Sequence, residues 1–85
     1  MMRGDDLKTE IERRVLLAMP DALIELRDLT GGGDHWQAVI VSTAFEGQNQ
    51  VARQRAVYSA LGELMEVRIH ALALKTLTPS QVNRT

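Results

Sequence analysis

Cysteine is absent from this 85-residue chain. Its absence excludes a disulfide framework and any thiolate supplied by the chain itself, and it suits a reducing compartment such as the cytoplasm. Histidine and proline occur only twice each. His35 and His70 are therefore the only imidazoles available, and two imidazoles cannot complete a metal site, so a partner would have to supply the other ligands. Tryptophan, tyrosine and phenylalanine occur once each. No apolar run approaches the ~20 residues of a membrane helix. The opening segment Met1-Met2-Arg3-Gly4-Asp5-Asp6 leads into charged residues rather than an apolar stretch, so neither a signal peptide nor a membrane span is expected. Nor is there an excess of one charge. The net charge is −1 and 45% of residues are hydrophobic, as in an ordinary globular domain and unlike a disordered tail. A chain of this length is one small domain, here taken as residues 1–85, with little core. Function is expected on a face rather than in a deep pocket.

The charge that is present is unevenly spread. Residues 1–47 carry a net −4, whereas Arg53, Arg55, Arg68, Lys75 and Arg84 face only Glu63 and Glu66 from Gln48 onward, a net +3. Two readings stand: an accident of a short chain, or a basic face for an anionic partner.

Hydrophobic periodicity sets out the elements. Leu7, Ile11, Val15 and Ala18 recur at helical spacing and predict a helix over residues 5–19, with Asp5 or Asp6 as N-cap and Pro20 as the stop. Residues 22–28 read as a strand of undecided face. Thr30 and the glycines 31–33 form a turn. Residues 36–42, rich in β-branched side chains, form a second strand, close enough to pair with the first as an antiparallel hairpin. After a break at Phe45-Glu46-Gly47, Asn49 caps a second helix to about Met65. Its apolar stripe is Val51, Val57, Tyr58, Leu61, Leu64 and Met65, and Gly62 marks a kink or split. Trp36, Phe45 and Tyr58 are assigned to packing. Residues 71–77 form a third strand, with Leu72, Leu74 and Thr76 on one side. Thr78 and Pro79 suit the start of a final short helix. The order is that of an α+β domain, helices over a three-stranded sheet.

Few motifs carry chemistry. The three glycines lack the Gly-Lys-Ser/Thr ending of a phosphate loop and do not open a helix after a strand, so a nucleotide site is rejected. No nucleophile, base and orienting group stand together in the sequence, so an enzyme is not expected. His70, read alone, is a structural imidazole at a strand start. His35, after the glycines, reads either as an idle loop side chain or as a ligand on a mobile loop. Arg53 and Arg55, two apart on a helix, point to different faces. They read as a solvated surface or as contacts to a partner or phosphates, and Lys75 is open to the same two readings.

The chain resembles the BolA-like family. The resemblance lies in Phe45-Glu46-Gly47 after a valine-rich strand, in Arg53-Gln54-Arg55-Ala56-Val57-Tyr58, and above all in Ile69-His70-Ala71-Leu72 through Lys75-Thr76-Leu77-Thr78-Pro79. It runs from the first helix to Pro79. It implies an α+β fold of the class II KH kind, α-β-β-α-α-β with a C-terminal helix as an option. It implies a non-enzymatic cytoplasmic protein that binds a monothiol glutaredoxin and shares a bridging [2Fe–2S] cluster with it, for cluster trafficking or for iron or redox sensing. Glutaredoxin and glutathione would supply thiolates, and the isolated chain would hold no cluster. The resemblance makes His70 one ligand and His35, the only candidate between the first two strands, the other. Imidazole ligation of one iron is the Rieske arrangement, labile in acid because a protonated ring cannot coordinate. The family is also read as DNA-binding transcriptional regulators, which makes Arg53, Arg55, Arg68 and Lys75 candidate contacts to a partner or to nucleic acid. Near-neutral charge and the missing Gly-x-x-Gly clamp of KH domains count against strong binding. Many members carry Arg-His-Arg where this chain has Arg53-Gln54-Arg55, so a third histidine is lacking. A homodimer in the free state is left open.

Overall fold

A computed structural model of the chain describes residues 4–69 and 71–82. The elements are α1 (Gly4–Ala18), β1 (Leu23–Asp28), β2 (His35–Val41), a 3-10 turn (Thr43–Phe45), α2 (Gln50–Leu61), α3 (Leu64–Val67), β3 (Ala71–Leu77) and α4 (Pro79–Val82). β1 and β2 form the antiparallel hairpin, and β3 pairs with the other side of β2 in parallel, giving the order β1-β2-β3. A parallel neighbour requires a crossover, and α2 with α3 supplies it.

The core lies between one sheet face and the helices. Trp36, Ala38 and Ile40 of β2 are buried, packed in one cluster with Leu7, Ile11, Val15, Phe45, Val57, Leu61, Leu64 and Ile69. Ile24, Leu26, Leu72 and Leu74 add partly buried flanks from the outer strands. This settles the face of β1: Ile24 and Leu26 point inward with buried Ala22, and Leu23 points out.

Several local expectations are corrected. The helix begins at Gly4, so Asp5 and Asp6 lie in its first turn rather than at the cap. The stripe of α1 continues four residues at a time to Met19, whose N–H bonds to Val15 O at 2.7 Å, and Ala18 is exposed. The split expected at Gly62 is present: α2 ends at Leu61 and α3 begins at Leu64, with Gly62 at φ +55° and its N–H on Tyr58 O. Asn49 does cap α2, its side chain accepting from the Ala52 N–H at 2.8 Å. Val51 and Tyr58 are surface residues, however, and the buried stripe of α2 is Arg53, Val57 and Leu61. Thr78 and Gln81 form a reciprocal capping box around α4. Thr78 Oγ1 accepts from the Gln81 N–H at 3.3 Å, and Gln81 Oε1 accepts from the Thr78 N–H at 2.8 Å.

Candidate functional site

The parallel pairing brings the N-terminal ends of β2 and β3 to one end of the sheet. His35 is level with Ala71, and the Ala71 N–H bonds to Asp34 O at 3.1 Å. His35 is therefore the first residue of a strand, where a mobile loop had been expected. Strand alternation puts it on the outer sheet face with Gln37, Val39 and Val41, opposite buried Trp36, Ala38 and Ile40.

The turn preceding His35 is fastened from within. The Asp28 carboxylate accepts from the backbone N–H groups of Thr30 (3.3 Å), Gly31 (3.0 Å) and Gly33 (2.9 Å). Wrapping the backbone round one carboxylate requires positive φ at Gly31 (+79°) and Gly33 (+76°), which glycine adopts without steric penalty. Thr30 Oγ1 donates to Asp34 Oδ1 at 2.8 Å, and Trp36 Nε1 donates to Gly33 O at 3.0 Å. Sequence reasoning missed Asp28. The signal was an aspartate two residues before Thr30-Gly31, a spacing that suits an Asx-type turn.

His35 Nδ1 lies 3.2 Å from Asp34 Oδ1, and the histidine side chain is 38% exposed. The Thr30 hydroxyl and then the His35 ring hold the Asp34 carboxyl below its ordinary range. His70 lies outside the described residues. Its neighbours are described: Ile69 is buried, with its N–H on Leu64 O at 2.8 Å, and Ala71 is held by Asp34 as above. Among the described residues no group of three or more His, Cys, Asp or Glu could hold a metal ion.

The basic candidates do not share a surface. Arg53 is only 7% exposed. Its Nε donates to Gln48 O at 2.9 Å, and its Nη1 donates to Gln81 Oε1 at 2.9 Å and, at longer range, to Thr76 O at 3.4 Å. The guanidinium lies 5.8 Å from the centre of the Phe45 ring. It ties α2 to β3 and α4, so the surface contact expected of Arg53 is replaced by an internal one. Arg55, Arg68 and Lys75 are exposed. Lys75 stands on the outer sheet face beside Val39, whereas Arg55 belongs to the helical layer on the other side.

Asp21 is a second residue that sequence reasoning passed over. Its carboxylate accepts from Ser42 Oγ (2.7 Å), Thr43 N–H (2.8 Å) and Thr43 Oγ1 (2.7 Å), joining the start of the hairpin to the end of β2. Those donors, the Thr43 N–H foremost, lower its pKa to about 2.

Comparison with known proteins gives a consistent result. The family model described as BolA-like protein matches residues 18–81. BolA-like protein 1 of Mus musculus is 32% identical over 82 residues, covering 88% of this chain and 60% of the mouse protein. The chain thus spans less than two thirds of that relative's length. The DNA-binding transcriptional regulator BolA of Escherichia coli K12 is 32% identical over 79 residues, covering 85% of this chain and 75% of the regulator. Among solved structures, a bol-like protein from Babesia bovis superposes with a TM-score of 0.80 at 35% identity, covering 91% of this chain and 90% of that one. With the family model spanning most of the chain and the same helices-on-sheet architecture in its structural relatives, the chain belongs to the BolA-like family.

Proposed function

We propose that this chain is a non-enzymatic accessory protein of the cytoplasm. It docks a monothiol glutaredoxin and donates imidazole ligands to a [2Fe–2S] cluster bridging the two proteins. The donor set fits a shared cluster. The chain has two imidazoles and no thiol, so sulfur ligands must come from glutaredoxin and glutathione. When bound, the cluster would supply one-electron redox and transferable iron and sulfide. The protein's own part is to present and orient nitrogen donors.

The observation carrying this reading is the register at the sheet end. His35 is level with Ala71, and Asp34 engages both the Ala71 N–H and the His35 ring. His70 immediately precedes Ala71 in the sequence.

The second function, binding to DNA, has its support in the printed name of the Escherichia coli relative. The geometry counts against it: Arg53 is internal, and Lys75 and Arg55 lie on opposite sides of the sheet. Phosphate neutralisation would need those charges together.

The test is anaerobic mixing with a monothiol glutaredoxin, glutathione, iron and sulfide. The expected result is a visible absorption and circular dichroism spectrum distinct from that of the glutaredoxin homodimer, altered by His70→Ala and by His35→Ala. A spectrum indistinguishable from the homodimer's, with or without this chain, would remove the proposal.

A further inference from the structure

The main helices cover one face of the sheet; on the other, α4 borders one end and the outward residues of the central strand are partly exposed. Three rows paired across all three strands lie on that face, and one of them, Arg27, Gln37 and Ala73, is exposed and mostly polar. In the other two, Leu23, Val41 and Leu77 are level with one another, and so are Glu25, Val39 and Lys75. A sheet face left to water normally presents polar side chains at its outward positions. At the Leu23 end, four of the six residues in the two rows nearest it are apolar, and Leu23 is 70% exposed. Asp21, Leu23 and Val41 also line, with Pro79 and Val82, a hollow of about 190 Å³ at the same end of the sheet.

The two charges are arranged as opposites about the central strand. Glu25 is exposed on one edge, Lys75 is exposed on the other, and Val39 stands between them in the same row. Among the described residues neither makes an ion pair within the chain. We infer that this face docks a second copy of the chain, sheet on sheet, about a two-fold axis parallel to β2. Such an axis exchanges the edges of the sheet. Glu25 of each copy falls opposite Lys75 of the other, Leu23 opposite Leu77, and Val39 and Val41 meet their own counterparts. The interface is self-complementary, as a two-fold contact requires. The other face-to-face axis, running across the strands through the row of Glu25, Val39 and Lys75, would set Glu25 on Glu25 and Lys75 on Lys75, and like charges so placed repel.

The size of the face sets the strength. Three strands about 4.8 Å apart and about 20 Å long give a patch on the order of 300 Å² per copy. A standard stable interface buries about 800 Å² per partner, so a patch of this size makes a weak, concentration-dependent dimer.

Translational diffusion and backbone amide shifts of the full chain, followed from about 0.05 to 2 mM, test the inference. The expected result is slower diffusion with rising concentration, with shifts centred on Glu25, Val39 and Lys75. Glu25→Lys and Lys75→Glu each set two like-charge pairs across the interface and raise the dissociation constant roughly tenfold. The double variant E25K/K75E, with opposite charges restored and net charge unchanged, returns to within about twofold of wild type. Both sites are on the surface, and unchanged far-ultraviolet circular dichroism confirms the fold. Concentration-independent diffusion overturns the inference. So does association that the single reversals leave unchanged, or a double reversal that fails to restore it. None of these outcomes involves glutaredoxin or iron, so the inference stands or falls apart from the cluster reading.

Discussion

Replacing Arg53 distinguishes an internal tie from a surface contact. Two of its hydrogen bonds, to Gln48 O and Gln81 Oε1, are 2.9 Å long, and the 3.4 Å approach to Thr76 O is too long to count for much. Charged hydrogen bonds contribute about 1.5–3 kcal/mol each. The guanidinium over Phe45 and its buried stem add about 1 kcal/mol. Relief of the charge's desolvation offsets part of the sum, leaving a net loss of about 3 kcal/mol for Arg53→Ala. A domain of this size loses about 4–8 °C per kcal/mol, so the melting temperature should fall by roughly 12–24 °C. Arg53→Lys keeps the charge and the stem but cannot span both acceptors, and about half the loss should remain. Arg55→Ala, on the exposed face, should stay within about 0.5 kcal/mol. Urea unfolding at constant m-value measures all three. A loss below about 1 kcal/mol for Arg53→Ala would refute the internal assignment. So would loss of partner binding at full stability.

Three further outcomes follow from the structure. Asp21 and Glu10 have folded-state pKa values lowered to about 2, Glu10 chiefly by its hydrogen bonds to Arg13 and then Arg14. Depressed carboxyl values stabilise the fold fully above the ordinary values of 3.8 and 4.5. That stability drains away as pH falls from there toward about 2, so a melting curve against pH should drop in that window, and less steeply in Asp21→Asn. Gly62→Ala meets no atom closer than 3.8 Å but forces an L-residue to φ +55° and ψ −128°, which should cost about 1–3 kcal/mol in the same urea assay; a neutral change would mean the junction between α2 and α3 relaxes freely. Asp28→Ala removes the acceptor of three turn amides and should speed hydrogen exchange at Gly31 and Gly33 by at least about tenfold, whereas unchanged exchange would show that the turn holds without it.

Most of the architecture was legible because local chemistry and tertiary packing agree. β3 has the predicted limits of residues 71–77 with Leu72, Leu74 and Thr76 inward, and the caps at Asn49 and Thr78 stand where their side-chain oxygens serve best. The misreadings share a cause. Arg53 sits four residues before Val57 on the buried stripe, but a charged residue is assigned to the surface by default. Only the converging Gln48 carbonyl and Gln81 side chain, remote in sequence from one another, make its burial favourable. Tyr58, adjacent to Val57, was drawn into that stripe by its apolar character and is instead turned outward. At the candidate site the surroundings of His35 were not legible. Three glycines signal freedom, whereas the aspartate that removes this freedom lies before them and acts through backbone N–H groups that no side-chain pattern reveals. The parallel register that levels His35 with Ala71 depends on the whole crossover.

The most direct measurement of the central claim is pulsed electron paramagnetic resonance of the reduced cluster in the complex with glutaredoxin, with this chain alone carrying ¹⁵N-labelled histidine. Strong coupling to two ¹⁵N nuclei, reduced to one in His35→Ala and in His70→Ala, is the predicted result. A reduced cluster with no ¹⁵N coupling would show every ligand to come from the glutaredoxin side, and would contradict the account.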